Sequence, residues 1–128
     1  MTDSTAEPKL RARVIPAILA VALGAFAFLP ICDLHFDCGC TWPGAGSDSH
    51  CDIHTSGPPD CPWCDHAWIG YLAMGFGAGV GLAAVWVLPH RTPGMVVTLS
   101  GIAACLLGIL AAGVVTSVWL GLPLFAGL

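Results

Sequence analysis

Cysteine and histidine crowd into one stretch of this chain. "CDLHFDCGCTWPGAGSDSHCDIHTSGPPDCPWCDH", residues 32–66, holds six of the seven cysteines and four of the five histidines. Three chemistries use such residues: metal ligation, disulfide cross-linking and thiol–disulfide exchange. Disulfides leave one regularity unexplained, because histidine recurs at fixed short distances from cysteine, in Cys32-x-x-His35, Cys51-x-x-His54 and Cys64-x-His66. Metal ligation explains it. Two ligands three residues apart on a tight turn can aim at one ion, and tetrahedral zinc sites are commonly built from two such halves.

The stretch divides into two candidate Cys3His sets. Cys51, His54, Cys61 and Cys64 form C-x2-H-x6-C-x2-C, with Gly57 and Pro58 turning the chain between the halves. Cys32, His35, Cys38 and Cys40 form a tighter set, in which Gly39 relieves crowding between neighbouring ligands. His50 and His66 remain as alternates or as groups that orient the ligands. Zinc is the expected ion, with copper(I) as the alternative in so thiolate-rich a setting. No catalytic acid or base stands out among the aspartates.

Structural disulfides come second. An even set of six cysteines permits 15 pairings, and a segment broken by "PGAGS" and "SGPP" needs some cross-link to hold one shape. Thiol–disulfide exchange comes third. Cys61-Pro62-Trp63-Cys64 resembles the C-P-x-C active site of thioredoxin-like and glutaredoxin-like proteins, although the resemblance covers four residues and no βαβ pattern follows it. A membrane oxidoreductase in the manner of quinone-linked disulfide-forming enzymes is what that resemblance implies, with Cys61 and Cys64 as its redox pair. Those enzymes usually have four or more spans, and three are found here.

The elements that carry this stretch belong to a membrane. Hydrophobic residues make up 56% of the 128 residues, charged residues 9%, and the mean hydropathy is +0.82. A soluble domain of this size is less apolar and more charged. Three runs are long enough to cross a hydrocarbon core of about 30 Å: residues 14–31, 67–89 and 94–122. None contains Asp, Glu, Lys, Arg or His, so ion or proton transport through this chain alone is not expected. The fold class is therefore an all-α integral membrane protein of three transmembrane helices.

Charge sets the expected orientation. Lys9, Arg11, Arg13 and Arg91 are the only basic residues, and they lie in the tail 1–13 or the short turn 90–93. Those segments are expected in the cytoplasm. The 32–66 loop has no Lys or Arg and six aspartates, so it is expected to be exoplasmic, periplasmic or extracellular, with residues 123–128 on the same side. A rival reading takes "RAR" and the Ala-rich run after it as a cleaved signal peptide, although the run is long for the apolar region of one.

Within the spans, Pro16 is expected in a first helical turn, while Pro30 and Pro89 are expected to mark exits. "GFGAGVG" gives two overlapping G-x-x-x-G pairs, Gly75/Gly79 and Gly77/Gly81, and span three offers Ala104, Gly108 and Ala112. Small residues let helix backbones approach closely in lipid. We expect them to build a tight three-helix bundle rather than a dedicated dimer face. Trp68, Tyr71 and Trp119 read as interfacial anchors, and mid-span Cys105 as a small buried apolar residue. Phe36, Trp42 and Trp63 are aromatics with little core to absorb them, which points to docking on other transmembrane subunits. The partners expected are thus lipid and a larger membrane complex, not nucleic acid, and the chain is read as an accessory subunit rather than an enzyme.

Overall fold

The computed structural model describes residues 6–36 and 61–124, with the backbone alone for 6–12, 64 and 65. Its elements are all helical: α1 (Ala6–Phe36), a single turn α2 (Pro62–Asp65), α3 (Ala67–Val87) and α4 (Gly94–Leu120). Three of these helices are long and apolar enough to cross a membrane. At 1.5 Å per residue the shortest of them, α3, is about 32 Å long, the thickness of a hydrocarbon core.

Helix α1 departs from the sequence reading at both ends. It begins well before residue 14 and runs five residues beyond Ile31, so Pro16 and Pro30 both lie inside it. Proline is tolerated there because an apolar surrounding offers the backbone no partner outside the helix, and neighbouring groups re-satisfy the freed carbonyls. The consequence is positional. Cys32 and His35 ride on the last turns of a helix, not on a loop.

The other boundaries follow local chemistry. Leu88 is extended, as a residue before proline tends to be, and α3 ends at Val87. Pro93 precedes α4 and leaves no unpaired N–H of its own at the helix start. Helix α4 closes on Gly121 in the left-handed conformation, φ 67°. There Leu122 N–H donates to Ser117 O (2.9 Å) and Gly121 N–H to Val118 O (3.3 Å), the paired bonds of a Schellman close.

Packing is tightest between α3 and α4, and glycine is the reason. A Cβ on Gly81 would lie 2.9 Å from Gly101 O, and one on Gly108 would lie 2.9 Å from the Gly77 Cα. Backbone meets backbone there and cannot give way. Of the two G-x-x-x-G pairs, Gly77/Gly81 faces α4, whereas Gly75 and Gly79 have open space where a Cβ would stand. On α4 the seam runs through Gly101, Cys105 and Gly108, shifted from the Ala104/Gly108/Ala112 row read from sequence. Cys105 is buried as expected, its sulfur filling the notch left by Gly24 of α1.

One end of the bundle is tied by Arg13. Its guanidinium is buried and donates from Nη1 to Val85 O (2.7 Å) and Trp86 O (3.0 Å), and from Nη2 to Leu88 O. The carbonyls left over at the C-terminus of α3 thus find donors on another helix, and a cation meets the negative end of the helix dipole. The Trp86 ring lies 5.8 Å from the same guanidinium. Arg13 therefore places the start of α1, the end of α3 and the 88–93 turn at one end of the bundle.

Candidate functional site

The opposite end gathers the chemistry. Cys61 precedes α2, Pro62 takes the first helical position, and His66 breaks the helix before α3 restarts at Ala67. Proline's fixed φ suits that first position. The turn lies down on α3 because residue 70 is glycine: a Cβ there would stand 2.9 Å from Trp63 O.

Trp63 is the wedge that fixes the turn. Its ring stacks on Phe28 of α1, centroids 4.9 Å apart and planes 14° from parallel, and meets Phe36 edge-on at 5.1 Å. Its Nε1–H donates to Thr116 Oγ1 of α4 (3.3 Å), while the Thr116 hydroxyl donates to Ala112 O (2.8 Å). A buried indole N–H requires such a partner. Phe36 and Trp63, expected on a docking surface, are instead the internal packing of this end of the bundle. Trp42 lies outside the described residues.

This wedge brings two cysteines together. Cys32 Sγ stands 3.4 Å from Cys61 Sγ, and the two residues are 1% and 3% exposed. They are 29 positions apart in sequence. The sequence reading had put Cys32 with Cys38 and Cys40, and Cys61 with Cys51, His54 and Cys64, so the structure joins one member of each set. The separation is well beyond the roughly 2.05 Å of a disulfide bond.

His35, one turn on from Cys32, is buried against α4. Its Nε2–H donates to Leu110 O (3.1 Å). The imidazole packs on Gly113, where a Cβ would overlap the ring, and meets Phe36 edge-on at 5.9 Å. A histidine whose far nitrogen is fixed by a backbone carbonyl has the tautomer and rigidity of a metal ligand. It does not, however, converge with the two sulfurs: among the described residues no three of His, Cys, Asp or Glu are grouped to hold one ion.

Of the remaining candidate ligands, Cys38, Cys40, His50, Cys51 and His54 lie outside the described residues. His66 is exposed at the α2–α3 break, and of Cys64 only the backbone in α2 is described. Sequence reasoning missed the Cys32–Cys61 approach, although a signal existed. Ala20, Gly24, Phe28, Ile31 and His35 recur at spacings of three and four, the stripe of a helix face that continues past Ile31.

No family model matches this chain, and neither the curated proteins nor the solved structures give a match. The functional reading rests on the chain's own chemistry.

Proposed function

We propose that this is a small three-span membrane protein whose Cys/His segment binds one or two transition-metal ions, zinc first and copper as the alternative. The observation that carries this reading is the 3.4 Å approach of Cys32 Sγ to Cys61 Sγ inside the bundle end. Two thiolates on one tetrahedral zinc, each about 2.3 Å from the ion, are separated by about 3.8 Å along the tetrahedron's edge. The observed pair is within about 0.4 Å of that edge and more than 1 Å from disulfide length. Two further ligands come from Cys38, Cys40, His50, Cys51, His54 and Cys64, with His35 held ready on α1.

The role is structural or accessory, within a larger membrane complex. Arg13 and His35 sit near the two ends of the apolar part of α1, and 22 residues at 1.5 Å separate them by about 33 Å. Between Arg13 and Asp33 α1 holds no Asp, Glu, Lys, Arg or His, and α3 and α4 hold none at all. A transport path needs such groups at membrane depth. The Cys/His end faces the exoplasm and the Arg13 end the cytoplasm, because every basic residue is in the tail or the 88–93 turn that Arg13 ties to it.

A permanent Cys32–Cys61 disulfide is the second reading, favoured by the same proximity and by the oxidising exoplasmic compartment. Catalytic exchange by Cys61 and Cys64 has less support. A Cys61 thiol only 3% exposed offers no attacking sulfur to an external protein disulfide.

Elemental analysis of the full chain in detergent, with thiol alkylation before and after chelation, tests the proposal. Stoichiometric zinc is expected, with Cys32 and Cys61 resisting alkylation until a chelator is added. Cys32→Ser, Cys61→Ser and His54→Ala should each lower the metal content while helical circular dichroism is kept. A chain without metal and six hydrogens lighter than its reduced form would replace this reading with a disulfide scaffold.

A further inference from the structure

We infer that the groove between α1 and α3 at the Arg13 end of the bundle holds one anionic phospholipid, its acyl chain against the helices and its phosphate at Arg13 and Arg91. The inference is independent of the metal reading, which concerns the opposite end. Two observations meet here: an apolar groove, and a cation without a counter-ion.

The groove exists because α4 takes the close contacts. Ala20 and Gly24 of α1 face Gly101 and Cys105, and Gly77 and Gly81 of α3 face the same helix, so the side away from α4 is left open between α1 and α3. A groove of about 470 Å³ remains there, lined by Val14, Ile18, Val21 and Ala22 of α1 and by Leu82 and Trp86 of α3. Apart from the indole N–H of Trp86, every lining side chain is hydrocarbon. From Val14 to Ala22 the groove runs about 12 Å along α1, most of the roughly 15 Å of hydrocarbon in one leaflet. An acyl chain matches that length, whereas ordered water needs polar partners that the groove lacks.

The mouth of the groove is charged. Arg13 immediately precedes Val14, and its guanidinium lies 5.8 Å from the Trp86 ring. It is 5% exposed, and its hydrogen bonds go to the carbonyl oxygens of Val85, Trp86 and Leu88. Those oxygens satisfy its donors without cancelling its charge. Among the described residues no carboxylate pairs with it, and Asp33 is about 30 Å further along α1. A buried cation without a counter-ion is unfavourable, so an anion beside it is stabilised. Arg91 is exposed three residues beyond Leu88, and residues 1–13 and 88–93 together carry four basic residues against Asp3 and Glu7. A lipid phosphodiester supplies the missing negative charge, as it does in basic pockets between transmembrane helices. A parallel second copy in the same groove would instead set its own Arg13 and Arg91 at the same depth, like charge against like.

The experiment uses the full chain in neutral detergent micelles, titrated with phosphatidylglycerol or phosphatidylcholine carrying identical brominated acyl chains. Bromine quenches the fluorescence of a tryptophan that it touches, Trp86→Phe identifies the Trp86 share of the signal, and native mass spectrometry counts the lipids retained. Saturable quenching of Trp86 with one phosphatidylglycerol per chain is expected, against weak and non-saturating quenching by phosphatidylcholine. Arg91→Gln should weaken phosphatidylglycerol binding about fivefold, the effect of one cation at a membrane surface. Ala22→Phe fills the groove from an exposed position and should abolish the Trp86 quenching with helical circular dichroism unchanged, whereas Leu107→Phe, exposed on α4, should leave binding intact. Equal titrations by the two lipids, or a phosphatidylglycerol preference that survives both Arg91→Gln and Ala22→Phe, overturn the proposal. So does a dimeric chain that takes up lipid only after the dimer is dissociated, because a second copy then covers the groove.

Discussion

Gly113→Ala probes how the bundle positions His35. The added Cβ would overlap His35 Cδ2 and Nε2 and come 3.0 Å from Cγ. The ring is buried at 1% exposure, so it cannot swing aside without leaving Leu110 O and its edge contact on Phe36. Overpacking of this kind costs about 1–3 kcal/mol, and the lost bond to a carbonyl a further ~0.5–1.5 kcal/mol. Alanine's better helix propensity returns at most about 1 kcal/mol. The steric term wins, and a net destabilisation of about 2 kcal/mol is expected.

Two comparisons isolate the cause. Gly79→Ala meets no atom within 4 Å, so it should be neutral or slightly stabilising. In His35→Ala/Gly113→Ala the ring is gone and the new methyl fits, so the double variant should be more stable than the sum of the singles by about 1–2 kcal/mol. Reversible unfolding in mixed detergent micelles, followed by far-ultraviolet circular dichroism, measures all four. If Gly113→Ala matches Gly79→Ala, or if the two changes simply add, His35 is not held by contact with α4 and the placement of the site must be rethought.

Arg13→Met removes three bonds to the end of α3 and should cost about 2 kcal/mol, at roughly 0.6 kcal/mol for each polar contact within a membrane bundle; Arg13→Lys should recover less than half, since one ammonium cannot fork between carbonyls. Equal unfolding midpoints for Arg13→Met and the parent chain would refute the capping role. The orientation is checked by reporter fusions: one after Leu128 is expected to be exported and one at Arg91 to stay cytoplasmic, and a cytoplasmic signal from the Leu128 fusion would invert the topology.

What the sequence made legible was what depends on composition: three apolar spans, the break at Pro89 and the buried Cys105. What it hid depended on which faces meet. Pro30 looks like an exit signal, yet α1 continues because its buried stripe has further helix to pack against, at Leu110 and Gly113. Two G-x-x-x-G pairs of equal spacing sit on α3, and only contact with α4 distinguishes Gly77/Gly81 from Gly75/Gly79. Arg13 was legible as a charge at the edge of an apolar run, but its hydrogen bonds span 72 to 75 residues of sequence and no local pattern encodes them.

The same reasoning shows why the two sulfurs meet. Cys32 is placed by α1, whose approach to α4 is fixed where the His35 ring lies on Gly113. Cys61 is placed by Trp63, which is held against α1 by Phe28, against α4 by Thr116 and against α3 by the missing side chain at residue 70. Every one of these contacts comes from the helices and the α2 turn. Helix packing thus contributes to the 3.4 Å approach, and substitutions that break those contacts should separate the pair. Changes at Gly70 or Gly113, which carry no ligand atom, should in turn disturb the site. A Cβ at either glycine shifts the helices that set the distance.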